Sequence, residues 1–381
     1  MADTLVRPSA APQRDPGSTG RRVRPEPWRP SPRGRLARLA VLALLALAVL
    51  GLPFLVPTAQ INIISRVVVF AIVALSLNML VGYTGQVSLG HSAFLGVGAF
   101  SAAFLLTRLG LGQEFAVPTT SWLIAAAFAM AIGGLQALLL GGVALRISGL
   151  YLALVTLAYG LFAQRVLFNI AALTGGGAGA QVGRPEFAAD SDIIYAYVCF
   201  GALALVWIVD WRLTASKAGR AIRALRDSEK VAASWGISVT RYKLLAFILS
   251  GMVAGLAGAL FASIETVVSD ATYDFILSIT FVFMVVVGGV GSRIGTVIGA
   301  VIFGSMTFVL DALADAGRSP VDGTAAQIVG ALLLLVVLVR YPGGIAQLMA
   351  PVIRWCSFKR WRSTSQATGP GAHTGGADVR P

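Results

Sequence analysis

The sequence has little charge, little histidine and little cysteine, and each shortage narrows what the chain can be. Only 12% of its 381 residues are charged, whereas 56% are hydrophobic. Soluble chains carry about a quarter charged residues, so there is too little charge here for a water-facing shell around a core of this size. Two distant cysteines, Cys199 and Cys356, exclude a disulfide framework. The only histidines, His91 and His373, predict no metal site.

Lysine is also scarce, and its sequence context excludes one source of energy. The four lysines are each followed by Ala, Val, Leu or Arg, whereas a phosphate-binding P-loop ends in Lys followed by Ser or Thr. The chain therefore has no such loop with which to hydrolyse ATP. It also has no sequence pattern that suggests paired carboxylates, a metal cluster or a nucleophile with its base. We therefore expect no catalytic residues and no cofactor in this chain.

Apolar residues are instead gathered in ten blocks, most of them near the roughly 20 residues that a helix needs to cross hydrocarbon. The blocks lie at 36–57, 63–82, 90–107, 119–145, 147–168, 192–210, 244–264, 275–290, 294–312 and 325–341. Several are short or interrupted by glycine, which is typical of broken or re-entrant helices. The pattern predicts an all-α, polytopic transmembrane helical bundle of about ten spans, with eight to ten as the range.

The net charge of +13 is distributed in a way that indicates topology rather than nucleic-acid binding. With ten crossings both ends of the chain share one side, and 25 of the 30 Lys and Arg residues lie on that side. Because Lys and Arg residues of membrane proteins are enriched in the cytoplasmic loops, we place both termini in the cytoplasm, in contact with anionic lipid. The predicted parts are a disordered basic and proline-rich tail (1–35), a transmembrane domain (36–345) containing a cytoplasmic loop (211–243), and a C-terminal tail (346–381).

The loop 211–243 contains the signals of one short amphipathic helix. Thr214 or Ser216 can cap a helix that begins near Lys217, and Gly236 stands where a left-handed C-terminal cap is expected. Helical spacing creates a basic stripe and an apolar stripe, formed by Arg220, Arg223, Arg226 and Lys230 and by Ala218, Ile222, Leu225 and Ala232. Two interpretations are equally open from physics: a solvated, lipid-facing helix, or a helix that docks in a groove of a cytoplasmic partner.

A resemblance favours the second interpretation. The runs 219–237 and 240–247 resemble the cytoplasmic loop of permease subunits from branched-chain amino acid ABC transporters, and the glycine-rich run 82–100 resembles that family's third-span entry. Further similar segments lie at 151–160, 173–179 and 288–300. The resemblance implies that an ATPase contacts Arg223, Arg226, Asp227, Glu229, Ala232, Ala233 and Gly236. Two residues separate Glu229 from the alanine pair, which departs from the general Glu-Ala-Ala…Gly motif of importer permeases.

The glycine-rich run suggests a second set of candidates, for a pathway or for close packing. Five glycines fall within the 17 residues from position 82 to position 98, and small residues let membrane helices approach closely. Packing is the favoured role for the glycines, and a lone histidine is more often simply hydrogen-bonded in the bundle. The candidates are Gly85, Gln86, Ser88, Gly90, His91 and Thr156.

The resemblance implies an importer subunit in the bacterial inner membrane, working with cytoplasmic ATPase subunits that hold ATP and Mg²⁺, a related second permease and a periplasmic substrate-binding protein. Urea and amide permeases of the same family form one alternative. An ion-gradient-driven carrier is another, but carriers place an acid or histidine deep in the bundle. Here the acids lie in tails, loops or span ends, with Asp210 at a cytoplasmic edge and Glu265 at an external one. His91 is then the single candidate for such a role.

Overall fold

The structure, a computed structural model, describes residues 60–111, 115–144, 149–174, 179–265 and 267–315, together with the isolated positions 51, 53, 57, 332, 340 and 344–347. Apart from those isolated positions, the predicted tails (1–35 and 346–381) and the apolar blocks 36–57 and 325–341 lie outside the described residues. The extents of the three predicted parts therefore stay predictions.

Helices make up nearly all of the described chain, as expected for an all-α bundle. The long helices are α1 (Ile61–Thr84), α2 (His91–Arg108), α3 (Thr119–Ala144), α4 (Leu150–Arg165), α7 (Asp192–Ala215), α10 (Val239–Glu265), α11 (Phe275–Gly288) and α12 (Arg293–Asp315). The short helices are α5 (Ala171–Thr174), α6 (Glu186–Ala189), α8 (Lys217–Asp227) and α9 (Glu229–Ser234). Single 3₁₀ turns lie at Leu167–Asn169 and Asp270–Tyr273.

Within the described ranges, five helical segments are long and apolar enough to cross a membrane. They are Ile61–Thr84, Thr119–Gly142, Tyr151–Asn169, Asp192–Ala215 and Val239–Glu265. Two shorter apolar helices, Phe275–Gly288 and Arg293–Met306, accompany them. The polytopic helical prediction is thus confirmed, and the total of about ten crossings stays a prediction.

Two helices, α1 and α10, form the centre of the bundle. In their most apolar windows 78% of α1 and 67% of α10 is buried within the protein, against 22% of α7. Helix α10 packs most extensively on α3 and then on α2 and α1. Glycine allows the closest of these approaches, since a Cβ atom built on Gly133 of α3 would lie 2.4 Å from the Gly251 carbonyl oxygen of α10. The core therefore depends on backbone-to-backbone contact, as small residues permit in membrane bundles.

The two ends of the bundle differ in chemistry. We call the end that holds α8, α9 and the start of α12 the basic end, and the other the far end. The far end carries two short strand pairs: β1 (Ala116–Val117) with β3 (Arg184–Pro185), parallel, and β2 (Ala180–Gln181) with β4 (Val267–Val268), antiparallel. These pairs join the loops between the helices and satisfy backbone groups that lie outside helices.

Arg184 is the main polar tie of the far end, and its side chain is nearly buried. Its guanidinium donates to Asp192 Oδ1 of α7 at 2.6 Å, to Asn62 Oδ1 of α1 at 3.1 Å and to the Ser263 carbonyl of α10 at 3.1 Å. It also lies over the Tyr195 ring, 4.8 Å from the centroid. One side chain thus fixes the far ends of three long helices relative to one another.

Candidate functional site

The predicted amphipathic loop helix forms, but as two helices rather than one. Ser216 caps α8 as predicted, accepting a hydrogen bond from the Gly219 N–H at 3.1 Å. The chain then leaves the helical conformation at Ser228, with φ −163° and ψ 114°, and the Ser228 hydroxyl caps α9 by accepting from Val231 N–H. The expectation of a single helix was wrong because Ser228 offers a second N-cap, which serine favours over a helix interior.

The C-terminal cap agrees with the sequence, since Gly236 has a φ of +78°. Its N–H bonds the Ala233 carbonyl at 3.0 Å, and the following N–H of Ile237 bonds the Ala232 carbonyl at 3.1 Å. This left-handed turn ends α9 and sends the chain into α10.

The apolar stripe of α8 faces the bundle. Ile222 and Leu225 are 1% and 2% exposed, and Ala221 and Gly219 are also buried. Helix α8 packs on α1 and α7, so it is held against the membrane helices rather than standing free in solvent. Burial of this face favours a fixed connection between loop and bundle.

Two arginines of the predicted basic stripe bond to the bundle, although both residues are also exposed. Arg223 donates from its Nη2 to the Thr214 carbonyl at 2.7 Å, at the end of α7. Arg226 donates from Nη1 to the Gly82 carbonyl, near the end of α1. Arg220 differs from these two arginines, since in the described contacts its side chain bonds only the Ala215 carbonyl at the end of α7. The basic stripe therefore does not act as one surface.

A buried polar cluster that the sequence analysis missed lies beneath α8. Asp210 of α7 is 1% exposed and pairs through Oδ2 with Arg293, the first residue of α12. Tyr83 of α1 donates to the same oxygen at 3.0 Å, and Arg293 also donates to the Thr214 hydroxyl. The sequence placed Asp210 at a span edge, and it lies near the end of α7. Its burial and its contacts with α1 and α12 were not predicted. A lone charge within an apolar block was the signal available.

Glu229, a predicted ATPase contact, has a partner within the chain. Its Oε1 lies 2.5 Å from the Nζ of Lys243 in the first turn and a half of α10. The Lys243 side chain is 6% exposed and that of Glu229 is 46% exposed. The pair ties α9 to α10. Lys243 was not singled out from the sequence among the residues that act with Glu229.

The remaining predicted contacts of α9 divide by exposure. Ala232 is buried at 3%, whereas Ala233 and Gly236 are exposed, as is Asp227 at the end of α8. Beside them stand two large apolar side chains, Val231 at 56% and Trp235 at 81% exposure.

Most of the second predicted set lies in the irregular segment between α1 and α2, with His91 at the start of α2 and Thr156 in α4. Gly85 ends α1 with φ +72°, and Gln86 and Ser88 are buried in a stretch without helix. Thr156 of α4 accepts the Leu89 N–H at 2.9 Å, and a Cβ atom on Gly90 would lie 2.4 Å from the Thr156 carbonyl oxygen. The backbone is therefore broken at this point and is enclosed by protein, the condition under which such breaks are tolerated.

The hydrogen bonds of His91 define its tautomer. Its Nε2 lies 3.1 Å from the Ser250 hydroxyl, which donates its own proton to the Ser76 carbonyl at 2.8 Å. Ser250 must then accept from Nε2–H, so Nδ1 accepts from the Ser88 hydroxyl at 3.0 Å. A neutral imidazole with both nitrogens bonded fits this geometry, which agrees with a packing role for His91.

The two predicted sets adjoin each other through a single contact region. Arg226 bonds the Gly82 carbonyl and its side chain also lies near Gly85. Helix α8 is thus connected to the broken segment that carries Gln86, Ser88 and His91. Among the described residues, no group of His, Cys, Asp or Glu is arranged to hold a metal ion.

Comparisons with known proteins agree with this architecture. Residues 59–339 match the model of the family described as branched-chain amino acid transport system / permease component. The LivM permease proteins of the high-affinity branched-chain amino acid transport systems of Salmonella typhimurium and Escherichia coli are 34% and 31% identical to this chain over 277 residues. In each case the match covers 66% of this chain and 63% of the relative.

A third relative is the LivH permease protein of the Salmonella typhimurium system, 26% identical over 72% of this chain and 90% of its own length. No solved structure matches the chain. The family match covers well over half of the sequence and includes both predicted sets of residues. The chain is therefore a multi-pass membrane protein that belongs to the family of permease components of branched-chain amino acid transport systems.

Proposed function

We propose that this chain is the permease subunit of an ABC importer for branched-chain or other apolar amino acids in the bacterial inner membrane. Separate ATPase subunits drive it by docking on α8 and α9 at the cytoplasmic side. The LivM relatives are named as permease proteins of high-affinity branched-chain amino acid transport. Urea or amide cargo is the second candidate within the same family.

The proposal rests on an exposed apolar pair at α9, formed by Val231 and by Trp235, the residue that follows the helix. Val231 and Trp235 lie in the charged connection between α7 and α10, beyond the ends of the spanning helices, and Trp235 is 81% exposed. Adjoining apolar side chains exposed to water are typical of protein interaction sites, and tryptophan is prominent among residues that dominate interface energy. A short helix with such anchors fits a groove on a partner.

The contacts beneath α8 supply a route from the docking surface to the pathway. A partner that moves α8 pulls on Arg226 and Arg223, which bond Gly82 of α1 and Thr214 of α7. Gly82 is three residues before Gly85, where the helix breaks and the buried segment begins. Nucleotide-dependent closure of ATPase partners would therefore bias the populations of the inward- and outward-facing states.

The other partners follow from the same proposal. LivM and LivH are both permease proteins of one kind of transport system, and this chain is similar to both. That similarity supports a related second permease as the partner in the membrane. A periplasmic binding protein would deliver the amino acid at the far end and carry most of the selectivity.

Reconstitution tests the function directly. Proteoliposomes containing this chain together with the proposed second permease, ATPase subunits and binding protein should take up labelled leucine only with ATP, and labelled urea should not accumulate. Uphill uptake by this chain alone in a proton or sodium gradient would refute the importer proposal. ATP-driven accumulation of urea without leucine would move the cargo to the amide class.

Replacement of the exposed tryptophan tests the docking surface. Trp235→Ala should weaken ATPase binding by roughly 30-fold or more, since anchors of this kind contribute about 2 kcal/mol or more, and the unfolding temperature of the chain should hold. Trp211→Ala is the matched control, because Trp211 is 54% exposed at the end of α7 but lies outside α9. Equal loss in both variants would mean that the two tryptophans act as membrane-interface anchors.

A further inference from the structure

A cationic cavity lies between α8 and the turn that precedes α12. It has a volume of about 300 Å³, and three arginines, Arg223, Arg226 and Arg293, line it. Its remaining walls come from α1, α7 and the start of α12, namely Gly82, Tyr83, Trp207, Thr214, Gly291, Ser292 and Ile294. The lining includes no residue of α9, but Arg223 and Arg226 belong to α8, which is part of the proposed ATPase docking surface.

Positive charge in this cavity exceeds the negative charge bonded to it. Arg293 is paired with Asp210, whereas the described contacts of Arg223 and Arg226 go to backbone carbonyls of residues 219, 214 and 82. Carbonyls orient a guanidinium but do not neutralise it. Three guanidinium groups against one carboxylate leave an excess of two positive charges. Each guanidinium has five N–H donors, so most donors of Arg226 are free for a ligand.

The start of α12 adds a second feature that favours an anion. The Ser292 hydroxyl caps this helix by accepting the Gly295 N–H at 3.2 Å, and a helix N-terminus concentrates partial positive charge and free N–H groups. This terminus opens into the same cavity as the arginines. Each guanidinium can donate two parallel hydrogen bonds to a pair of phosphate oxygens. A phosphate group offers more acceptor oxygens to several arginines than a single carboxylate does.

We propose that this cavity binds a phosphate group carrying up to two negative charges, and that the bound group bridges α8 to the start of α12. The chemistry is shared by free inorganic phosphate and by the headgroup of an anionic phospholipid, both of which reach the basic end of the bundle. Occupancy would hold α8 against the membrane helices, because the ligand joins arginines from both sides of the cavity. The site therefore makes the connection between the loop and the bundle depend on an anion.

Binding by the full-length chain in nanodiscs tests the proposal in two arms. In the first arm, inorganic phosphate is titrated against phosphatidylcholine nanodiscs, with chloride at equal ionic strength as the reference. In the second arm, phosphatidylglycerol replaces phosphatidylcholine stepwise. Thermal unfolding and amide exchange of α8 are measured in both, since a ligand that binds the folded state raises its stability. A response in the first arm identifies free phosphate, and a response confined to the second identifies the headgroup.

Arginine variants locate the site. Arg223→Gln and Arg226→Gln should each weaken binding about tenfold, the loss of one charge-assisted contact. Arg220→Gln on the same helix is the matched control, because Arg220 is exposed and lies outside the cavity lining. Arg226→Lys should retain part of the affinity by keeping the charge. Arg223→Gln and Arg226→Gln test the site independently, so one variant decides the matter if the other fails to insert.

Three results would overturn the proposal. The first is the absence of any response to either probe. The second is an equal loss in Arg220→Gln, which would indicate a diffuse electrostatic attraction to the basic end. The third is a response to a probe that Arg223→Gln and Arg226→Gln leave unchanged while both variants weaken ATPase association, which would assign the arginines to a carboxylate of a protein partner.

Discussion

The ion pair between Glu229 and Lys243 allows a sharp test of how α9 acts. The ammonium of Lys243 is almost buried, and Glu229 Oε1 lies 2.5 Å from it. Exposed pairs contribute about 0–1 kcal/mol, and removal of one partner of a fully buried pair costs about 3–5 kcal/mol. With one member buried and the other half exposed, we expect Glu229→Gln to destabilise the attachment of α9 to α10 by roughly 2 kcal/mol.

That free energy corresponds to a shift of roughly 30-fold between attached and detached α9, since about 1.4 kcal/mol is tenfold. Amide hydrogen exchange within α9 should accelerate by about this factor in Glu229→Gln. ATP-driven uptake should fall with it, because a detached α9 no longer transmits movement to α10. Glu229→Lys should have a larger effect, as it sets two ammonium groups together.

Variants of both residues distinguish two roles for Glu229: bracing, meaning attachment of α9 to α10 through Lys243, and direct contact with an ATPase. Lys243→Gln should reproduce the uptake defect of Glu229→Gln, and the exchanged pair Glu229→Lys with Lys243→Glu should recover part of it. Lys230→Gln is the matched control, an identical change at an exposed position of α9. Normal exchange in Glu229→Gln, or normal uptake in Lys243→Gln, would refute the bracing role and leave Glu229 as a contact with the partner.

Two further predictions concern the interior of the bundle. His91→Ala should lower stability by roughly 2–3 kcal/mol, because it leaves a cavity and removes two hydrogen bonds. Uptake per inserted molecule should stay near normal. Loss of uptake at normal abundance would assign His91 to the pathway. Gly133→Ala should lower the free energy of unfolding by roughly 1–3 kcal/mol, because it forces α3 away from α10. In Gly142→Ala on the same helix the added Cβ meets nothing within 4 Å, so this control should be neutral or slightly stabilising. Equal unfolding temperatures in the two variants would contradict the close-packing argument.

Hydropathy alone located the long helices, because a helix that crosses hydrocarbon must be apolar along most of its length. The blocks 63–82 and 192–210 correspond to Ile61–Thr84 and Asp192–Ala215, with errors of a few residues. The caps at Ser216 and Gly236 were also predictable, since they depend on local backbone chemistry. The break at Ser228 was not, because a capping serine and an exposed helical serine have the same sequence pattern.

Contacts between distant segments were beyond the sequence. Nothing in the residues around Lys243 points to Glu229, and the pairing of Asp210 with Arg293 joins positions 83 residues apart. The first pair depends on how α9 folds back onto α10, and the second on how α7 packs against α12. A single sequence encodes neither arrangement in a local pattern. The proximity of the glycine-rich segment to α8, through Gly82 and Arg226, has the same origin. The candidate residues were therefore found as two sets, and their adjacency came from the structure.

The tie made by Arg184 has a mechanical consequence. Because one guanidinium clamps α1, α7 and α10 together at the far end, a force applied through α8 acts at the long arm of a lever whose fulcrum is that arginine. Small displacements at the fulcrum then accompany large ones at the basic end, which is the geometry of a hinged closure. If ATPases dock on α8 as proposed, displacement would be smallest at the far end of the bundle and largest at the basic end.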